Sequence, residues 1–262
     1  MKYVETDNPA EVPGKLLSPG ERFSFACYPG ISCFNRCCRN LNLFLYPYDI
    51  IRLKKSLKIS TGEIIDRHTD LVLRDNTYFP SVLLKMAEND ERTCPFLSDA
   101  GCTVYPDRPQ TCRAFPVEQG LYFKDENTPP QLLNYFRPPD FCMGTHENAA
   151  WTVKSWEADQ NAAFYNQMTL EWADILRLFY TDPFGGAGPY CEKGKMAFMA
   201  AYNMDAFREF VLKSSFLKRY SIKPKLRLKI KTDDIALLRL GFSWIRLFVF
   251  GINTGDIGIK KG

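Results

Sequence analysis

The sequence predicts an α+β protein, mostly α: an irregular cysteine-rich metal-binding core with short hairpins, packed on a helical C-terminal half. Three observations carry this reading. Seven of the nine cysteines fall in two runs, Cys27-x5-Cys33-x3-Cys37-Cys38 and Cys94-x7-Cys102-x9-Cys112, among turn signals that leave room only for short elements. Residues 151–180 then run thirty positions without Gly or Pro, with Trp156, Phe164, Met168, Trp172, Ile175 and Phe179 at mostly helical spacing. Residues 196–212 and 235–250 repeat that apolar periodicity. A chain of 262 residues buries a full core without metal for bulk. One globular unit in three parts is expected: an extended leader (1–20), a cysteine-cluster metal-binding region (21–150) and a helical region packed on it (151–262).

Taken in order, Pro9, Pro13, Gly14, Pro19 and Gly20 make residues 1–20 a surface leader without an element. Phe23-Ser24-Phe25 alternates as a short strand delivering Cys27, and Pro29-Gly30 turns the chain so that Cys27 and Cys33 fold back on one another. Tyr48-Asp49 starts a helix with Ile50, Ile51, Leu53 and Leu57 on its apolar stripe. Ser60-Thr61-Gly62-Glu63 is a capping box for a second short helix. Residues 71–84 read as two extended pieces around Asp75-Asn76, with Pro80 at an edge. Cys94 to Tyr105 reads as a small hairpin turning at Ser98-Asp99-Ala100-Gly101, and Pro109 delays any helix until after it. Residues 117–141 are expected to form an acidic, proline-rich surface loop with one strand, residues 120–123, at its base. The glycine-rich stretch from Phe184 to Tyr190 lacks a phosphate-loop lysine and reads as a helix terminator.

Thiolates are soft ligands that select zinc, copper(I) or iron–sulfur clusters, so two cysteine runs point first to a metal site. A disulfide framework belongs to short secreted domains. The opening residues MKYVETDNPAEVPGK hold no apolar signal core, so the expected setting is a reducing, bacterial-type cytoplasm. Burial as a small hydrophobe accounts for Cys191, which stands alone, but not for the adjacent pair Cys37-Cys38. With only two histidines, His68 and His146, a Cys/His zinc finger is poorly supported; His68 reads as a half-buried surface residue, and for His146, four residues after Cys142, a role as ligand or as hydrogen-bond donor to one is the minority reading. Asp49, Asp99 and Asp107 could serve as acids or bases, and caps and turns explain them equally well.

Adding Cys142 gives eight candidate ligands: Cys27, Cys33, Cys37, Cys38, Cys94, Cys102, Cys112 and Cys142. They suffice for two four-sulfur sites or for one cluster with spare thiols. Only Cys33-x3-Cys37 has the spacing of a zinc knuckle, which favours an iron–sulfur cluster, [4Fe–4S], with zinc the alternative. Arg36, Arg39, Arg108 and Arg113 adjoin the cysteines and are candidates to offset thiolate charge.

The net charge of +4 is concentrated between Lys213 and Lys231, where eight Lys or Arg occur without an acid. Leu226, Leu228 and Ile230 alternate there with Arg227 and Lys229, which reads as a half-buried strand, the alternative being weak contact with nucleic acid or with an anionic membrane surface. No nucleic-acid motif is present and no apolar run is long enough to span a membrane. The partner expected is an unidentified protein or small molecule.

The cysteine positions resemble the YkgJ-type cysteine-cluster family, a zinc- or iron-chelating domain. The resemblance rests on Phe25-x-Cys27, Cys33, Cys37-Cys38, Tyr48-Asp49-Ile50 and Arg52-Leu53. It continues through Cys94-Pro95-Phe96-Leu97, Gly101-Cys102-Thr103-Val104-Tyr105, Arg108-Pro109, Cys112-Arg113, Phe115-Pro116 and Cys142-x-Gly144. It covers about residues 23–146, with five residues between Cys27 and Cys33 where the family commonly has two. What it implies is metal chelation. The flagellin lysine methylases, with a similar cysteine arrangement, resemble iron–sulfur proteins that transfer methyl groups from S-adenosylmethionine, so cluster-dependent protein modification is one implied activity. A metal chaperone is another reading.

Overall fold

The computed structural model describes residues 2–4, 8–75, 77–123 and 131–260. It is 45% helical and 17% strand, the mixed but mostly helical class that the sequence predicts. Its contacts divide the chain into two compact units, one of residues 1–41, 86–103 and 109–166, the other of residues 42–85, 104–108 and 167–262. All eight candidate ligands belong to the first unit and Cys191 to the second.

The first unit is built on a four-stranded sheet in the order Lys2–Val4, Val117–Tyr122, Gln131–Phe136, Lys15–Leu16. Its central pair is antiparallel, with Leu133 opposite Gly120, while Lys2–Val4 joins in parallel. This corrects two expectations: residues 1–20 contribute two strands, and residues 117–136 form two strands where one was expected. Strands of two and three residues are too short to show alternation in a segment dominated by proline and glycine. The expected acidic turn at Asp125-Glu126-Asn127 and Pro129-Pro130 lies outside the described residues.

Arg22–Ser24 forms the predicted strand and pairs with Ala150–Thr152. It turns Phe23 into a core of Leu17, Phe25, Val117, Cys142 and Trp156. The Trp156 ring stands edge-on to Phe25 at 5.4 Å, and Phe25 edge-on to Phe115 at 5.6 Å, the arrangement favoured by aromatic quadrupoles. Both indoles are anchored, Trp151 to the Phe25 carbonyl at 2.7 Å and Trp156 to the Ala114 carbonyl at 3.0 Å.

The single helix expected from residue 151 is in fact a strand and two helices, Val153–Asp159 and Ala163–Leu178. Thr152 caps the first helix, its side chain accepting from the Ser155 N–H at 3.1 Å. Asn161 then takes φ +50, a left-handed turn that asparagine tolerates and that breaks the helix.

In the second unit the helix Pro47–Leu57 begins where the Asp49 carboxylate accepts from the Tyr46 N–H at 2.8 Å, and it buries Ile50 and Leu53 completely. Ser60 closes the predicted capping box, and the helix Thr61–His68 follows. Strands Thr69–Val72 and Ser81–Leu84 pair antiparallel, with Phe44–Leu45 on the other edge and Pro80 just before the second strand. Residues 196–212 are divided between the helices Glu192–Tyr202 and Met204–Lys213, because the Asn203 side chain caps the second by accepting from Ala206 N–H at 3.2 Å.

The apolar C-terminal helix is Asp234–Phe250. A Cβ on Gly241 would lie 2.1 Å from the Ala200 carbonyl oxygen, so glycine is what lets this helix cross Glu192–Tyr202 closely. Around that crossing Trp172 packs edge-on to Tyr202 at 5.6 Å and stacks on Phe242 at 5.6 Å. Lys54 bridges the Asp205 and Asp234 carboxylates at 2.6 and 3.1 Å, and Arg208 pairs with Asp234. The basic segment is not the expected half-buried strand. It is a helix Phe216–Arg219, a strand Tyr220–Ile222 and a helix Pro224–Lys229, because Pro224 pre-sets a first helical turn and resets the side-chain period from two to 3.6.

Candidate metal centre

Three separated segments bring four cysteines to one recess. Cys27 follows the strand Arg22–Ser24, Cys33 and Cys37 lie on the loop that ends in the short 3-10 turn Arg36–Cys38, and Cys142 opens the turn Met143–His146. The four side chains line the recess together with Phe25, Phe115 and Phe141, so the sulfurs face an apolar, aromatic wall shared with the core of the first unit.

Close backbone approach makes this convergence possible. The Ala26 N–H donates to the Gly144 carbonyl at 3.0 Å, and a Cβ on Gly144 would stand 2.4 Å from the Ala26 carbonyl oxygen. The glycine two residues after Cys142 thus sets the distance between the first and last cysteines of the recess. Asn35 at φ +61 and Gly30 at φ +107 supply the reversals that return Cys33 and Cys37 toward Cys27.

Three of the recess thiols, Cys27, Cys37 and Cys142, are held in the neutral form by burial and by neighbouring thiols. Burial, followed by the neighbouring Cys37, Cys33 and Cys142, pushes the Cys27 thiol up to about 11. Cys37 is raised most strongly, first by its hydrogen bond with Cys38 and then by burial, with Arg39 pulling weakly the other way. Cys142 is raised by burial and by Cys33 and Cys37, while the Gly144 and Thr145 N–H groups oppose the shift. The Met143 N–H donates to Cys33 Sγ at 3.2 Å. N–H donors aimed at sulfur stabilise thiolate, and a cation among four thiolates turns their repulsion into attraction.

Of the remaining candidates, Cys38, Cys94 and Cys102 form a second group beside the first. The Cys94 N–H donates to the Cys38 carbonyl at 2.9 Å, and the predicted hairpin, Leu97–Ser98 against Gly101–Cys102, returns Cys102 toward Cys94. Burial chiefly, with a contribution from Cys102, raises the Cys94 thiol, while the Phe96 N–H lowers it. Cys37 and Cys38, in contact with each other, link the two groups. Cys112 sits half-buried on the helix Gln110–Ala114, outside the lining of the recess. That helix is anchored by Gln110, whose amide donates to Gln119 and Asn166 at 2.7 and 2.9 Å.

All nine cysteines are free thiols. Among the described residues no three Cys, His, Asp or Glu side chains stand in a coordination shell; the four thiols are gathered around the recess without being clamped. Their chemistry nevertheless fits a thiophilic metal: four soft donors, an apolar wall and backbone N–H groups on sulfur. His146 is exposed on the turn after Cys142, and His68 lies in the second unit, its basicity lowered by burial and by Arg67.

Of the four arginines, Arg39 acts on Cys37 while also pairing with Glu91 at 3.1 Å. Arg36 lies over the Phe141 ring at 4.8 Å, at the wall of the recess. Arg113 is directed elsewhere, donating to the Gln160 carbonyl at 2.6 Å, and Arg108 stacks on Tyr105 within the second unit. The sequence pointed to the cysteines but not to the apolar side of the site. Phe115 and Phe141 lie next to proline motifs and carry no periodic signal, and only the structure turns them onto the sulfurs.

A family model described as a putative zinc- or iron-chelating domain, CxxCxxCC, matches residues 26–154. Comparison with curated proteins and with solved structures found no match. The matched stretch begins beside Cys27, runs past Cys142 and includes every thiol of both groups. Over residues 26–154, just under half of its length, the chain is similar to this family of zinc- or iron-chelating domains.

Proposed function

We propose that Cys27, Cys33, Cys37 and Cys142 hold one metal centre, an iron–sulfur cluster of the [4Fe–4S] type, in the reducing cytoplasm. The observation that supports this is the convergence of four thiols from three chain segments on one aromatic-walled recess, with the Met143 N–H on Cys33 Sγ. A cluster bound by four thiolates keeps a net negative charge, which backbone N–H groups and the nearby Arg39 offset. The second group, Cys38, Cys94 and Cys102 with Cys112 as a further candidate, is read as supporting thiols or a second site reached through the Cys37–Cys38 contact.

Anaerobic purification followed by iron and acid-labile sulfide analysis tests the assignment. About four of each per chain, with broad absorption near 400 nm, is the expected result. Colourless protein with one or two equivalents of zinc and no sulfide overturns the cluster assignment. A second reading, a single structural zinc ion, is favoured by the small volume of the recess, about 10 Å³ or the space of one water molecule. It predicts one zinc per chain that is lost on substituting any of the four cysteines.

A further inference from the structure

We infer that the basic segment of the second unit is a peripheral docking surface for an anionic lipid membrane. Between Lys213 and Lys231 there are eight Lys or Arg and no acid, and every one of the eight side chains is exposed. Lys213 pairs with Glu209 at 3.0 Å and Lys223 with Asp256 at 2.7 Å. The other six, Lys218, Arg219, Lys225, Arg227, Lys229 and Lys231, form no ion pair among the described residues, so their charge faces solvent. Six uncompensated cations in fourteen residues complement a surface of anionic headgroups.

The aliphatic side chains decide between lipid and other polyanions. The half-buried strand read from the sequence would hide Leu228. In the helix Pro224–Lys229 it is 71% exposed, with Lys225 three residues before it on the same side. Ile259, also 71% exposed, lies on the strand Ile257–Ile259, whose residue 259 pairs with Tyr220 of the basic segment. One exposed leucine is ordinary on a protein surface. Two largely exposed aliphatic side chains in and beside the most basic stretch suit insertion between lipid chains while lysines meet phosphates. Sites for single-stranded nucleic acid instead present aromatic platforms, and here the aromatics are turned inward: Phe216 is buried and Tyr220 packs on it at 4.8 Å. No helix among the described residues is long and apolar enough to cross a membrane, so the contact is peripheral.

Cosedimentation of the full chain with vesicles tests this, comparing phosphatidylcholine alone with phosphatidylcholine containing about 30% phosphatidylglycerol. Binding to the anionic vesicles alone is expected, lost at about 0.5 M salt, where screening shortens the reach of the charges. Lys225→Gln and Lys229→Gln should each weaken it roughly fivefold. Leu228→Ser should weaken it at unchanged net charge, a readout that electrostatics alone does not move. All three positions are exposed, and unchanged circular dichroism confirms that each variant folds. Failure to bind anionic vesicles overturns the proposal, as does binding indifferent to Leu228→Ser, or equal or tighter binding to a single-stranded RNA homopolymer in a parallel assay.

Discussion

The two units solve the same problem with different materials. The second buries Trp172, Phe179, Phe207, Phe216 and Trp244 to 2% exposure or less, and its helices carry their own caps at Tyr46, Ser60, Asn203 and Asp233. The first has a smaller hydrophobic cluster, and its ligand-bearing segments are strands of two or three residues and 3-10 turns. Segments so short make few backbone hydrogen bonds and cannot order themselves. The lesson is where stability resides: in the second unit it comes from buried apolar area, whereas in the first the proposed metal centre would tie the cysteine loops together.

Metal removal gives the largest expected difference. Cys37→Ser, or anaerobic chelation, should cost the first unit on the order of 10 kcal/mol if the ion is structural zinc. Hydrogen exchange should then accelerate in Val117–Tyr122 while the helix Asp234–Phe250 keeps its protection. Equal loss in both would erase the contrast between them.

The converse substitution, Trp172→Ala, should lower stability by about 3–5 kcal/mol. The indole is 2% exposed between Phe79, Tyr202 and Phe242. Denaturant unfolding reads the loss, and metal content per folded chain should stay unchanged.

Alkaline pH distinguishes the units more gently. The Cys27 thiol rises from 9.0 to about 11 in the folded chain, so its neutral form contributes stability below pH 9 that is lost as pH climbs toward 11. Metal-free protein should therefore lose protection in the first unit over that interval. Metal affinity should run the opposite way and rise with pH, because binding displaces thiol protons. The smallest effect belongs to Ser60→Ala, about 1 kcal/mol from the lost cap, detectable as a shift in the unfolding midpoint without any change in metal content.

The sequence was most legible where one residue type has one job. Ser60 and Glu63 announced a helix start, Pro29-Gly30 a reversal, and the cysteine runs a thiol site. It was least legible where two physical rules competed. Leu226, Leu228 and Ile230 alternate like a strand, yet Pro224 starts a helix and leaves Leu228 in solvent. Asn161 looked like one polar residue in a long helix, although its left-handed backbone divides two. In the site, sequence could name eight thiols but not sort them, because the contact between Ala26 and Gly144 that gathers four of them joins residues 118 apart.

That contact also sets a schedule. Cys142 is the last of the four thiols to be synthesised, so during translation the recess stays incomplete until the ribosome has passed it. The loop that must close is long, although its entropy grows only with the logarithm of its length. Residues 42–85 and 104–108 of the second unit are made before the first unit is finished, and they must wait for residues 167–262 to be packed. The nascent chain therefore carries Cys27, Cys33 and Cys37 without their fourth partner until residue 142 is made. For the proposed centre, metal loading and any competing oxidation of those thiols would be a race that begins before Cys142 is made.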